Sequence, residues 1–293
     1  MIRIEPNRQV FSMERNHPPC AEAHSGDTVC FVTTDAFGGQ VTSPEQTLDS
    51  LDWTRVNPAT GPLFIHGAEP GDTLKVEIIM IETAEQGVMA AIPGAGLFAD
   101  VVTTPEVKIV AFRDGKALFS AEIELPLKPM IGVIGVAPRG EGIPCGVPGT
   151  HGGNMDNARI TAGTTLYLPV FVPGALLSMG DLHAVMGDGE VMVTGVECAG
   201  EVTVRVEIQK NRALSNPQHE DATNYYTIAS DDDLLVATRQ AALDMCHLVM
   251  DKLGLSFNEA GMLISAAGHA QICQVVDPKL TARFALPKHL LGM

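Results

Sequence analysis

The chain has 293 residues, with 19 Lys+Arg against 35 Asp+Glu, and a formal net charge of −16. A negative chain repels phosphate, so nucleic acid and anionic membrane surfaces are poor partners. No apolar run approaches the ~20 residues a membrane helix needs, and MIRIEPNRQV carries no secretory apolar stretch; the expectation is a soluble, cytoplasmic protein.

Taken in chain order, the first two hundred residues read mainly as strands. Gly26 to Gln40 holds an apolar-rich strand ending at Asp35, before Ala-Phe-Gly-Gly. Leu74 to Met80 alternates, with Leu74, Val76, Ile78 and Met80 inward and Lys75 and Glu77 outward. Val107 to Phe112, Ala117 to Leu125, Thr165 to Val172 and Glu190 to Cys198 are further strand candidates. Val202 to Gln209 has the period of two that marks a half-buried strand. From Arg212 to Asn224 the chain turns polar and reads as a linker. Leu235, Ala242, Met245, Cys246, Val249 and Leu253 then recur at helical spacing, with Ser230 and Asp233 as a capping box and Gly254 as the stop. A second helix starts at Ser256 with Glu259 as its cap partner, and Ala270 to Val276 reads as a strand. The pattern predicts a mainly β protein: a distorted β-sandwich or barrel-like body over 1–210, and a C-terminal α/β portion over 211–293 integrated with it.

Two glycine-rich segments carry the polar chemistry. GVPGTHGGNMDN (146–157) places His151, Asn154 and Asp156 among glycines that free the backbone for close approach. MGDLHAVMGDGEV (179–191) places Asp181 and His183 two apart, on one face of an extended chain, and Asp188 and Glu190 repeat the spacing. Its apolar flanks argue for a polar site between buried strands, with a solvated turn as the plain alternative. Between Gly140 and Val204 seven carboxylates face one basic residue, Arg159, so the acidic excess is concentrated where a cation would sit. His24 and His66 are weaker candidates. The six cysteines are scattered without metal or disulfide spacing. No G-x-S-x-G, H-E-x-x-H or phosphate loop occurs, and the surroundings of Cys145 and Glu141 do not support a thiol nucleophile.

At these residues the sequence resembles the acetamidase/formamidase family. The resemblance rests on NPATGPLFIHGAEPGDTLKVEI (57–78), IGVAP (134–138), HGGNMD (151–156), LPVFVPGALLSMGDLHAVMGDGEV (168–191) and the EAGMLIS…QVVD tail (259–277). It implies a metal-associated hydrolase of short amides, releasing carboxylate and ammonia, and a homodimer or higher homo-oligomer. The expected metal ligands are Asp35, His151, Asp156, Asp181 and His183, for zinc with calcium as a candidate second ion. Glu190 is the expected general acid–base, with Asp188 or Glu141 as alternatives. Asn154 and Met186 are the expected substrate contacts; the family often carries Gln where this chain has Met186. The scarcity of basic residues near these blocks points to a small neutral amide. The rival readings are a non-catalytic oligomer stapled by metal, or a metal-dependent hydrolase of another small amide or an ester.

Overall fold

The computed structural model describes residues 1–293. Two large sheets face each other across one core. The nine-stranded sheet runs in the order Ile2–Ile4, Thr28–Thr33, Gly200–Gln209, Thr73–Thr83, Thr165–Pro169, Gln218–Glu220, Asn224–Asp231, Leu280–Pro287, His269–Gln274. The second, eleven-stranded sheet centres on Met130–Gly135 and Leu177–His183, which pair antiparallel and are buried along their whole lengths. Phe31, Val76, Leu168 and Val204 from the first sheet pack with Leu63, Ile131, Leu177 and Leu182 from the second. Each such side chain contributes about 1.5–3 kcal/mol when fully withdrawn from water. Neither sheet closes on itself, so the body is a distorted sandwich.

The nine-stranded sheet continues past residue 210, because Thr165–Pro169 pairs with Gln218–Glu220 and the ladder runs on to Asn224–Asp231. The helices Leu234–Leu253 and Phe257–Ala267 cover this extension through Met245, Val249, Ala260 and Ile264, packed on Tyr225, Phe284 and Leu286. No helix is long and apolar enough to cross a membrane.

Several local expectations are corrected. Met80 is exposed, because Ile79 is an extra residue opposite the Thr203/Val204 step; this β-bulge hands the inward position to Ile81. Ala117 to Leu125 is two short strands, Lys116–Leu118 and Glu124–Pro126, joined by a turn. In Glu190 to Cys198 only Glu197–Cys198 is strand, since Glu190 and Val193 take positive φ and break the extended path. The first helix is capped by Asp233, whose carboxylate accepts from the Leu235 and Val236 amides. Ser230 belongs to the preceding strand and bonds Thr281, and Leu235 points into solvent. The second helix carries the expected Ser256–Glu259 capping box. The polar stretch read as a linker contains the Gln218–Glu220 strand, and the Leu280–Pro287 strand went unanticipated.

Candidate active site

The two central strands of the second sheet deliver the chemistry. Leu177–His183 pairs on one side with Met130–Gly135 and on the other with Glu197–Cys198, in a register that sets His183 opposite Glu197. Gly152–Asn154 pairs on the far edge of Met130–Gly135 and leads directly into Asp156. Asp156, Asp181, His183, Glu190 and Glu197 are thereby brought together, all buried.

His183 Nε2 is the hub. It lies 3.0 Å from Glu197 Oε2, 3.4 Å from Asp181 Oδ1, and 3.7 Å from both Asp156 Oδ1 and Glu190 Oε1. The Glu197 contact is ionic and lacks hydrogen-bond alignment, for Oε2 has no hydrogen-bond partner. The other ring nitrogen, Nδ1, faces the Met186 sulfur at 3.2 Å. Asn154 donates its amide N–H to Asp277 Oδ2 at 2.9 Å, which leaves its carbonyl oxygen without a donor. Both Asp156 oxygens are likewise buried and unpartnered. Glu190 is steadied by the Gly195 N–H, which donates to Oε1 at 3.0 Å.

The backbone is held in a sparsely populated conformation at the acids themselves. Asp156, Asp181 and Glu190 have φ of 39°, 55° and 48°. Left-handed backbone at a non-glycine residue costs on the order of 1 kcal/mol or more and persists where the surroundings over-determine it. Gly132, in the middle of Met130–Gly135, gives these carboxylates their space: a Cβ there would fall 2.6 Å from Asp181 Oδ2 and closer still to Asp156 Oδ1.

Burial and crowding set the protonation. Burial raises the Glu190 carboxyl well above its usual range, and the Asp156 charge adds to it. Burial also raises Glu197, against the pull of His183, and Asp156 is pushed up to about 7 by burial and by Asp181. Burial, then Asp156 and Glu190, raise Asp277. Burial drives His183 towards neutrality, but the Glu197 and Asp181 carboxylates outweigh it and hold the imidazolium well above the ordinary range. Burial opposes ionisation of Asp181, yet His183 prevails and keeps it low.

Two cavities meet at this cluster. The first, of about 150 Å³, has Phe37, Trp53, Ile92 and Val193 along its apolar side. Asn57, Asn154 and the carboxylates of Asp181, Glu190, Glu197 and Asp277 form its polar side, and no Lys or Arg lines it. The second, about 230 Å³, lies on the other side of Glu190 and is bordered by Met89, Met186 and Met192.

His151 is buried between Gly149 and Gly153 with neither ring nitrogen bonded, lowered to about 4 by burial and the Lys279 charge, and stands outside the His183 ligand groups. Asp35 accepts from the Gly39 N–H at 3.0 Å; burial raises its carboxyl, and it lies near enough to Asp181 to feel its charge. Asp188 points away from the hub and pairs with Arg283. Glu141 is exposed on a surface turn. His66 is on the surface, bonded to Glu22 and stacked on His24. Sequence reasoning missed Glu197, Asp277 and Gly132. A lone acid inside the apolar run VECAG was a usable signal for Glu197, and a carboxylate closing the QVVD block was one for Asp277.

The acetamidase/formamidase family profile matches residues 5–143 and 141–292. The chain belongs to this family. It is accordingly a hydrolase of the amidase type, acting on a carbon–nitrogen bond. The crystal structure of an acetamidase from Bacillus halodurans superposes with a TM-score of 0.98, at 47% identity over 99% of both chains. That of a predicted acetamidase/formamidase from Thermoanaerobacter tengcongensis gives 0.97, at 47% identity over 99% of this chain and 97% of that one. A formamidase from Methylophilus methylotrophus is 26% identical over 93% of this chain and 87% of its own length.

Proposed function

We propose that this amidase hydrolyses small, neutral primary amides of the formamide and acetamide type with the help of one divalent cation held at His183. The observation that carries the reading is the buried ring of carboxylates around a single imidazole, of which Asp181, Glu190 and Glu197 line a small cavity without Lys or Arg. Buried acids of this number are costly unless a cation neutralises them. The orphaned oxygens of Asp156 and Glu197 fit that requirement, and mixed nitrogen and carboxylate donors suit zinc.

Two ligand groups are available, Asp156–His183–Glu190 and Asp181–His183–Glu197. Both draw on the same Nε2, whose one lone pair serves one ion, so they are alternatives for a single cation. Asp35 and His151 flank these groups and are the candidates for any second ion, with calcium favoured on the carboxylate side. A bound cation supplies Lewis acidity that polarises a carbonyl and acidifies water.

The chain's own residues do the rest. Asn57 and Asn154 line the cavity, and their side-chain carbonyl oxygens, buried and without a donor in the structure, are the two candidate acceptors for the N–H groups of a primary amide. Phe37, Trp53 and Ile92 exclude water from the acyl side. Glu190, fixed by the Gly195 N–H at the junction of the two cavities, is free of the cation when Asp181, His183 and Glu197 hold it, and is then the group that passes a proton to the leaving nitrogen. With no Lys or Arg on its lining, the cavity offers an acidic substrate no counter-charge from a side chain. A homo-oligomer is part of the proposal, supported by exposed Leu97, Phe98 and Val101 on one loop, and sedimentation tests it.

The test is ammonia release from formamide, acetamide and propionamide, with metal analysis before and after chelation, on wild type and Glu190→Gln. Turnover lost on chelation, restored by zinc and abolished in the folded, metal-loaded Glu190→Gln variant is the expected result. Full turnover by the chelated protein would remove the cation from the reading, and full turnover by the loaded variant would remove Glu190.

A further inference from the structure

One buried side chain reaches from the C-terminal strands of the nine-stranded sheet to both the segment that carries Asp156 and the segment that carries Glu190. Arg283, on the Leu280–Pro287 strand, is fully buried, yet its guanidinium spans three elements. Nε donates to Gln271 Oε1 at 2.7 Å on the neighbouring strand. Nη1 donates to Asn157 Oδ1 at 3.0 Å, one residue after Asp156. Nη2 donates to Asp188 Oδ2 at 2.5 Å, two residues before Glu190. Backbone bonds run alongside: the Gly189 N–H donates to the Cys273 carbonyl at 2.7 Å, and the Val275 N–H to the Gly189 carbonyl at 3.2 Å.

We propose that Arg283 is a positioning residue for the active site, a clamp that holds Asp156 and Glu190 in their left-handed backbone conformations by fixing Asn157 and Asp188. Both acids need such a support, since each occupies a strained φ of 39° or 48° and would relax if its loop were free. The guanidinium suits the task because its donors form a rigid planar fork that reaches several acceptors at once. Lysine carries the same charge on one compact ammonium and cannot reproduce the fork. Arg283 touches no lining surface of the first cavity, so its effect passes through the loops. The kinetic part of this inference rests on the amidase reading; the structural part does not.

Arg283→Ala and Arg283→Lys are compared with wild type by thermal melting, by amide hydrogen exchange over 151–157 and 187–191, and by steady-state ammonia release. The expected result is faster exchange in both loops and a kcat lowered by about 10- to 100-fold with KM little changed, the range typical of residues that orient ligands. Guanidinium ion at low millimolar concentration restores part of the kcat of the alanine variant and none in the lysine variant, a rescue that a general loss of stability would not show. A folded alanine variant with wild-type kcat and wild-type loop exchange overturns the proposal. Should Arg283→Ala not fold, Arg283→Lys decides: reduced kcat with faster loop exchange supports the clamp, and wild-type values for both refute it. If wild type hydrolyses no amide, the amidase reading fails, and exchange in the two loops still decides the role of Arg283.

Discussion

Gly132→Ala tests the site at its tightest point. The perturbation is one methyl group in the Met130–Gly135 strand, whose backbone at this position is ordinary extended chain, so alanine introduces no φ strain. What it introduces is contact: 2.6 Å to Asp181 Oδ2, closer to Asp156 Oδ1, and 2.9 Å to the Asp181 carbonyl. Ordinary van der Waals contact begins at 3.4 Å. The carboxylates must therefore retreat by roughly 0.8 Å or more, and a misplacement near 1 Å costs on the order of 10²-fold in rate. Overpacking of a tight core site costs about 1–3 kcal/mol, which a chain of this size tolerates.

The expected variant is thus folded, with a melting temperature lower by a few degrees, and with kcat for formamide down about a hundredfold. Near-UV circular dichroism and thermal melting establish the fold, and ammonia release gives the rate. Titration calorimetry with zinc ion reports the carboxylates independently, and weaker binding is expected because both displaced acids belong to the ligand groups around His183. A folded Gly132→Ala variant with wild-type turnover and wild-type zinc affinity would refute the placement of the chemistry between Asp156 and Asp181.

Other outcomes follow from the same geometry. In the metal-free protein Asp156, Glu190, Glu197 and Asp277 hold protons that the unfolded chain has released, and raised His183 also keeps its proton in the folded state. Buried His151 and His219, lowered by burial to about 4 and about 3, stay neutral where the unfolded chain charges them and so oppose this trend, but the raised carboxyls outnumber them. The native state therefore binds more protons, and stability falls as pH rises from about 5 through 7. Lowered Asp181 has the opposite sign, but its contribution is lost only in acid, below its ordinary carboxylate range. Melting temperature across that window in chelator should fall with pH, and zinc should flatten the slope; a chelated protein that grows more stable towards pH 7 would contradict the protonation scheme. Trp53→Ala removes the half-exposed indole from the acyl wall and should raise kcat/KM for butyramide relative to acetamide by about tenfold, a methylene-scale discrimination. An unchanged ratio would show that this wall does not select the acyl group. Gly261→Ala, in the interior of the second helix with open space around its α-carbon, should stabilise by about 0.5–1 kcal/mol without altering turnover, as read by urea unfolding.

The parts of the fold legible from sequence were those whose signal is local. Val202 to Gln209 alternates because one face meets the core, and Ser256 with Glu259 marks a helix start within four residues. The two glycine-rich segments likewise announced themselves, and the structure brings Asn154, Asp156, Asp181, His183 and Glu190 within one cluster. What alternation could not show was the bulge at Ile79, a property of the pairing with Val204 rather than of either strand alone. Asp188 and Glu190 have the same spacing as Asp181 and His183, yet they diverge, since Gly189 and Glu190 both take positive φ and turn the second carboxylate inward.

Arg283 shows why the rest was hidden. LTARFALP has no usable period, because the strand is covered on both faces and Thr281, Arg283 and Ala285 are as buried as their apolar neighbours. A charged residue in such a run reads as solvent-facing until its partners are known. Those partners are Asp188, 95 positions away, and Asn157, 126 positions away. Asp277 reaches Asn154 over a comparable separation. The C-terminal strands therefore both complete the acidic ring and brace its loops. In sequence they look like an appendix to the β body, and only the pairing of Gly189 with Cys273 and Val275 makes them a wall of the active site.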